Sequence, residues 1–130
     1  MSEIPLVSVV DDDDSMRRAM GRLIRSFGFT VVVFASAEEF LVSGHLRDTS
    51  CLILDVHMPR MNGLQLQAYL VQAGFLMPII FITAYLDEKV RAQALQAGAA
   101  CFLEKPVSDG DLLNEIRRAL KLDAADGLPR

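Results

Sequence analysis

Reactive side chains follow the short apolar runs of this 130-residue chain, each at the point where a run ends. In chain order they are Asp11 and Asp12, Asp55, Thr83 and Lys105. Carboxylates that crowd together repel one another unless a cation lies between them, and Mg2+ is a hard cation that binds carboxylate and phosphate oxygens. A lysine ammonium and a hydroxyl would contact the oxygens of a phosphoryl group. Side chains of these types, if they meet, could transfer a phosphoryl group to a carboxylate.

The apolar runs are predicted to be β-strands, because they are short and rich in β-branched and aromatic residues. They cover residues 6–10, 30–34, 51–54, 79–83 and 101–103. The segments between them repeat apolar residues at intervals of three and four, as amphipathic helices do. Strict alternation of five strands with five helices predicts a parallel sheet with helices on both faces. Ligands of such sheets bind beyond the carboxyl ends of the strands, where the reactive side chains stand.

The acidic run that follows the first strand has a less specific interpretation beside the metal site. Carboxylates favour the N-terminus of a helix, and this interpretation is preferred for Asp13 and Asp14. Asp14 is the predicted N-cap of the first helix. Asp11 and Asp12, which come directly after the strand, are assigned to the metal site.

Length and charge limit the class of protein. The length suits one domain, residues 1–130, with a core over about 6–122 and a tail at 123–130 that is predicted to be flexible. A net charge of -4 argues against direct nucleic-acid binding. No signal peptide or membrane-length apolar run is recognisable, so a cytoplasmic location is predicted. The two cysteines, Cys51 and Cys101, are predicted to be buried, reduced thiols.

The segments VVDDDD, LILDVHMPRMNG, IFITAY and CFLEKP resemble, in order and spacing, the signature stretches of response-regulator receiver domains of two-component signalling. The start VVDDD, the short second helix and the ending GAACFLEKPV resemble the FixJ-like subgroup in particular. The resemblance covers about residues 6–122. It implies a flavodoxin-like (βα)5 fold, a doubly wound α/β architecture whose five-stranded parallel sheet has the strand order 2-1-3-4-5.

The resemblance also implies roles for the reactive residues. Asp55 matches the aspartate that accepts a phosphoryl group from a sensor histidine kinase. Asp11, Asp12, Asp55 and the backbone carbonyl of His57 match the ligands of Mg2+, for which Mn2+ can substitute. Lys105 matches the lysine that pairs with the phosphoryl oxygens. The only reactions that this family implies for the chain are its own phosphorylation and dephosphorylation, so it is not predicted to be an enzyme with a separate substrate.

Further implied roles concern the response to phosphorylation. Thr83 matches the switch hydroxyl, which moves toward the phosphoryl group. Phe102 matches the switch aromatic residue, whose ring then turns inward. The face built by the fourth helix, fifth strand and fifth helix changes shape and contacts an effector domain or a dimer partner. The bond between Lys105 and Pro106 is usually cis in this family.

Two residues near the site, His57 and Tyr85, are expected to modulate it. Three residues depart from the commonest pattern of the family: Phe102, which lacks a tyrosine hydroxyl, Tyr85 and Arg60. His57 follows Asp55 by two positions and is expected to screen the phosphoryl group from water. Tyr85 is bulky and is expected to crowd the mouth of the site. Arg60 is expected to add positive charge near the phosphoryl group.

Several functions remain open at this level. The preferred one is a phosphorylation-controlled switch that regulates an output, most often transcription. A stand-alone receiver that relays phosphate or acts as a phosphate sink is the alternative. A Mg2+-dependent hydrolase is disfavoured because His57 stands where such enzymes carry a second carboxylate. A binding module without chemistry is disfavoured by the five reactive positions, and a dinucleotide-binding domain by the absence of GxGxxG after the first strand.

Overall fold

The computed structural model describes residues 4–122 and shows strands and helices in strict alternation. The predicted flexible tail, 123–130, lies outside the described residues. Over the described range the elements are β1 (Leu6–Val10), α1 (Asp14–Ser26), β2 (Thr30–Phe34), α2 (Ala37–Val42), β3 (Thr49–Leu54), α3 (Gly63–Gln72), β4 (Ile79–Thr83), α4 (Glu88–Gln96), β5 (Cys101–Glu104) and α5 (Asp109–Leu120).

The strands form one parallel sheet with the order β2-β1-β3-β4-β5. In its register, Val10 at the end of β1 lies beside Phe34 on one side and Leu54 on the other. Strands β1 and β3 are therefore neighbours that end at the same level, although more than forty residues separate Val10 from Leu54. The predicted flavodoxin-like fold and its strand order are confirmed.

Both faces of the sheet are covered by helices. Along β3, Leu52 and Leu54 pack with α2, α3 and α4, whereas Cys51 and Ile53 pack with α1 and α5. Successive side chains of a strand point to opposite faces, so a strand covered on both sides is apolar at most positions. This explains why the strands show no polar alternation in the sequence.

The first helix begins one residue earlier than predicted. Asp13, not Asp14, is the N-cap: its backbone is extended and its carboxylate accepts a hydrogen bond from the Met16 N–H at 3.0 Å. Asp14 is the first helical residue and pairs with arginines of the next turn. Two adjacent aspartates have the same capping chemistry, so the residue type alone could not separate them.

Two other features complete the fold. Cys51 is fully buried, as predicted, whereas Cys101 is only partly buried. Burial raises the pKa of the Cys51 thiol to about 12. Among the described residues, no helix is both long and apolar enough to cross a membrane.

Candidate functional site

Three carboxylates meet at the carboxyl edge of the sheet. Asp11, Asp12 and Asp55 each offer one oxygen, and these oxygens lie within 4.8 Å of one another. Lys105 reaches them from the end of β5, with its Nζ atom 3.0 Å from Oδ2 of Asp11 and 3.2 Å from Oδ2 of Asp55. The structure thus brings together four of the five reactive residues that end the predicted strands.

Backbone and side-chain hydrogen bonds fix the turn after β1. The N–H of Asp11 donates to the Phe34 carbonyl at 3.1 Å, which extends the pairing with β2 by one residue. Oδ1 of Asp11 accepts from the Asp13 N–H at 2.9 Å. The guanidinium of Arg17 donates to the Asp11 carbonyl at 2.9 Å and to the Asp14 carboxylate at 2.8 Å. The Asp13 N–H therefore holds the Asp11 carboxylate, and Arg17 holds the Asp11 backbone.

Asp55 is fixed in a similar way at the end of β3. Its N–H donates to the Val10 carbonyl at 3.0 Å, and its Oδ1 accepts from the His57 N–H at 3.3 Å. The side chain is 9% exposed.

Gly63, the first residue of α3, lets this helix approach Asp55 closely. A Cβ atom at this position would lie 2.3 Å from the Asp55 carbonyl oxygen and 3.0 Å from Cα of Val56. Neither neighbour is a flexible side chain that could give way. The close contact requires glycine, and the sequence shows this glycine only as part of an Asn-Gly turn.

The pKa of Asp55 is raised above its ordinary value. Burial is the main cause, because it removes water from the carboxylate, and the neighbouring Asp11 carboxylate adds to it. The Lys105 ammonium opposes both effects. The pKa of Lys105 is also raised: burial would lower it, but the hydrogen bond to Asp11 and the charges of Asp55 and Asp11 outweigh that cost.

The donor set fits a divalent cation. Three carboxylates against one ammonium leave two negative charges at the cluster. Within residues 4–122, the exposed Asp12 carboxylate takes part in no hydrogen bond or ion pair, so its lone pairs are open to a metal ion. Oxygen ligands from carboxylates suit Mg2+ and Ca2+ rather than Zn2+. The cluster can therefore hold a hard cation.

The two residues expected to modulate the site lie against each other. The rings of His57 and Tyr85 meet edge to face, with centroids 6.2 Å apart. Both side chains are exposed, Tyr85 by 75%. Arg60, in contrast, directs its charge to α2, with its Nε atom 3.8 Å from Oε1 of Glu38.

Thr83 and Phe102 lie further inside. The Thr83 hydroxyl donates to the Tyr85 carbonyl and accepts from the Tyr85 N–H, both at 3.3 Å, and contacts none of the three carboxylates. Phe102 is already buried, with its ring 5.7 Å from that of Phe81. The structure thus places the Phe102 ring in the core and the Thr83 hydroxyl against the Tyr85 backbone.

The chain turns sharply after β5. The peptide bond between Lys105 and Pro106 is cis. The Lys105 N–H donates to the Thr83 carbonyl at 2.7 Å, which continues the pairing of β5 with β4. This contact places the lysine backbone beside the Thr83 backbone, while the ammonium extends toward the acidic cluster.

Sequence reasoning missed three polar residues that hold the site or its surroundings: Arg17, Glu38 and Gln67. In the sequence, nothing distinguishes Arg17 and Glu38 from the other charged residues of amphipathic helices. Gln67, on α3, is 2% exposed and its amide donates to the Ala94 carbonyl of α4 at 2.9 Å. A polar residue on the inner face of an otherwise apolar helix is the signal that could have revealed Gln67.

Comparison with known proteins agrees with the geometry. The family model described as the response regulator receiver domain matches residues 7–117. The chain belongs to this family. Receiver domains are the input domains of response regulators, so the class that the sequence motifs indicated is confirmed.

Individual relatives support the FixJ-like subgroup. The chain is 44% identical over 118 residues to nodulation protein W of Bradyrhizobium diazoefficiens, covering 91% of this chain and 52% of that protein. It is 37% identical over 127 residues to the transcriptional regulatory protein FixJ of Azorhizobium caulinodans, covering 98% of this chain and 60% of that protein. A solved structure of the response regulator StyR is similar with a TM-score of 0.85 and 41% identity, covering 95% of this chain and 63% of that one. The chain spans about half the length of the curated relatives it matches.

Proposed function

We propose that Asp55 accepts a phosphoryl group from a sensor histidine kinase in a Mg2+-dependent reaction. The observation that supports this most strongly is the cluster itself: three carboxylate oxygens within 4.8 Å of one another, with the Lys105 ammonium in contact with two of the carboxylates. Phosphoryl transfer depends mainly on positioning and on neutralising charge, and the cluster offers both.

The chain's own residues have separate tasks in this reaction. A carboxylate oxygen of Asp55 forms a bond to phosphorus, while the bond from phosphorus to the donor nitrogen breaks and its electron pair stays on the donor. Lys105 neutralises charge on the transferred group. After transfer, the Thr83 hydroxyl donates to a phosphoryl oxygen in place of its weak contact with Tyr85.

Asp11, Asp12 and Asp55, together with the backbone carbonyl of His57, would hold the cation. When bound, Mg2+ supplies positive charge to the transferring phosphoryl oxygens. Arg17 and the N–H of Asp13 keep Asp11 in place for this purpose. Mn2+, with similar preferences for oxygen ligands, is expected to substitute.

The output of the protein is proposed from its relatives. Residues 1–130 act as one receiver domain in the cytoplasm, and phosphorylation reshapes the face of α4, β5 and α5. That face contacts an effector domain or a second copy, and the output is transcription. The domain itself binds neither nucleic acid nor membrane, and it has no separate substrate to turn over.

Thr83 and Phe102 act as the switch, and the pair of His57 and Tyr85 sets the lifetime of the phosphorylated form.

The proposal is tested by measuring intact-protein mass after incubation with acetyl phosphate. Wild type should gain one phosphoryl group with Mg2+ and none in its absence, and Asp55→Asn should gain none. Asp48→Asn, which changes an exposed aspartate away from the cluster, serves as the control and should behave as wild type. Absence of any mass gain in folded wild type, or a gain in Asp55→Asn equal to that of wild type, would contradict the assigned role of Asp55.

A further inference from the structure

The loop that follows Asp55, residues 56–62, is tied to helix α2 by one side chain. Oε2 of Glu38 accepts a hydrogen bond from the Met61 N–H at 3.1 Å, across 23 residues of sequence. Oε1 of the same carboxylate lies 3.8 Å from Nε of Arg60. Although the Glu38 side chain is 40% exposed, Oε1 is buried and, within the described part of the chain, accepts no hydrogen bond.

The other anchors of this loop lie at its base or on one side. The Gly63 N–H donates to the Val56 carbonyl at 2.9 Å, which closes the loop at its two ends. The Met58 side chain is buried in the core between the sheet and helices α2, α3 and α4. Arg60 has a φ of 64°, a left-handed conformation that a residue with a Cβ adopts only when its surroundings hold it there. Glu38 contacts this residue and the next one, so it acts where the loop is most strained.

The position of the loop matters for the cation because the loop contains His57, whose backbone carbonyl is one of the proposed ligands. The N–H of the same residue donates to the Asp55 carboxylate at 3.3 Å. His57 therefore stands, along the chain, between Asp55 and the left-handed residue Arg60. Partners that orient metal ligands without touching the metal strongly affect metal affinity.

We propose that Glu38 is a positioning residue for the metal site: its carboxylate holds Arg60 and Met61, and thereby sets the place of the His57 carbonyl. This inference rests on the proposed function, since it assumes that the acidic cluster binds Mg2+. It concerns a residue on α2, an element that contributes none of the proposed ligands.

The test compares three variants by calorimetric titration of the unphosphorylated protein with Mg2+. Glu38→Ala should weaken Mg2+ binding by about tenfold, the lower end of the usual cost of losing an outer hydrogen-bond partner. Glu38→Gln keeps an oxygen for the Met61 N–H and should bind Mg2+ more tightly than Glu38→Ala. Glu39→Ala is the matched control, because Glu39 lies next on the same helix and accepts from the Ala35 N–H, also at 3.1 Å.

Amide hydrogen exchange without metal gives a second measurement. Glu38→Ala should speed exchange at Met61, while Glu39→Ala should leave Met61 unchanged. Unaltered Mg2+ affinity in Glu38→Ala, or equal weakening in Glu39→Ala, would overturn the inference, because the effect would then be absent or would come from α2 as a whole. If wild type binds Mg2+ but acquires no phosphoryl group, the proposed function fails while the role of Glu38 is still decided by the titration.

Discussion

The turn between β1 and α1 and the turn between β4 and α4 lie at the same edge of the sheet but are held very differently. In the first, hydrogen bonds of 2.8–3.0 Å link Asp11, Asp13, Asp14, Met16 and Arg17. In the second, Asp87 caps α4 with a hydrogen bond of 2.9 Å, but the contacts between Thr83 and Tyr85 are 3.3 Å long, and the Leu86 N–H reaches Glu104 at 3.4 Å.

The helices that follow these turns also differ in how much of their surface is buried. Helix α1 buries Met20, Gly21 and Ile24, whereas Ala94 is the buried residue of α4. Elements with few buried contacts open and move at lower free-energy cost. The half of the site proposed to hold the cation is therefore firmly fixed by hydrogen bonds and buried contacts. The half proposed to respond is loosely held, so a new contact of modest strength can shift it.

Arg17→Ala should have the largest effect, because it removes the side chain that braces the first turn. The Arg17 side chain is 16% exposed, and its guanidinium donates to both the Asp11 carbonyl and the Asp14 carboxylate. Loss of hydrogen bonds to a charged group predicts a fall of about 2 kcal/mol in the free energy of unfolding. Urea denaturation would measure it.

The matched control for this change is Arg18→Ala. Arg18 also pairs with Asp14 at 2.8 Å, but its side chain is 64% exposed. An exposed pair contributes only about 0.5 kcal/mol. Equal losses of unfolding free energy in the two variants would show that Arg17 stabilises the first turn no more than an exposed arginine does.

Gln67→Met should have the next largest effect on stability, and it tests whether the hydrogen bond from Gln67 holds α4 in place. The substitution keeps the volume of the side chain but removes the hydrogen bond to the Ala94 carbonyl, at a cost of about 1 kcal/mol. Hydrogen exchange should rise in α4 and not in α1. Gln72→Met, at an exposed position of α3, is the control, and exchange that rises uniformly would contradict a local role.

Thr83→Val should change stability by less than about 1 kcal/mol, because the hydroxyl makes only two long hydrogen bonds. We expect the variant to accept a phosphoryl group, since Thr83 contacts none of the carboxylates. The phosphorylation-induced change in α4 exchange should be lost. A normal change in α4 would remove Thr83 from the proposed switch.

Asp55→Asn should give the smallest change in stability, because the attraction of Lys105 partly offsets the cost of burying the charge. The raised pKa of Asp55 means that the folded state disfavours the carboxylate relative to the unfolded state. Without Mg2+, the wild type therefore loses stability, relative to the variant, as pH rises through the folded pKa of Asp55. Melting temperatures should be higher for the variant at neutral pH and should converge at low pH. A variant that melts lower at neutral pH would contradict this sign.

Much of the fold followed from the sequence. The five strands could be recognised as continuous apolar runs, because helices cover both faces of the sheet and few strand positions need to be polar. The gathering of Asp11, Asp12, Asp55 and Lys105 followed from the rule that parallel strands present their carboxyl ends at one edge. The roles assigned to these residues stay predictions.

The contacts that depend on the path of a long side chain could not be predicted. Glu38 reaches Met61 because α2 happens to run beside the loop after β3, a proximity that helical periodicity does not contain. The bond from Gln67 to Ala94 depends in the same way on the packing of α3 against α4. The N-cap was misplaced because Asp13 and Asp14 have equal propensity, and the tertiary position of the turn decides between them.

The contact of Lys105 with the acidic cluster has a consequence for the newly made chain. The lysine lies 94 residues after Asp11 and 50 residues after Asp55. A ribosome therefore releases the carboxylates first and the ammonium only when β5 has been synthesised. Until then the emerging polypeptide has Asp11 and Asp55 without the ammonium that contacts both carboxylates in the folded protein. The contacts of Lys105 with Asp11 and Asp55 therefore cannot form before the last strand of the sheet has been synthesised.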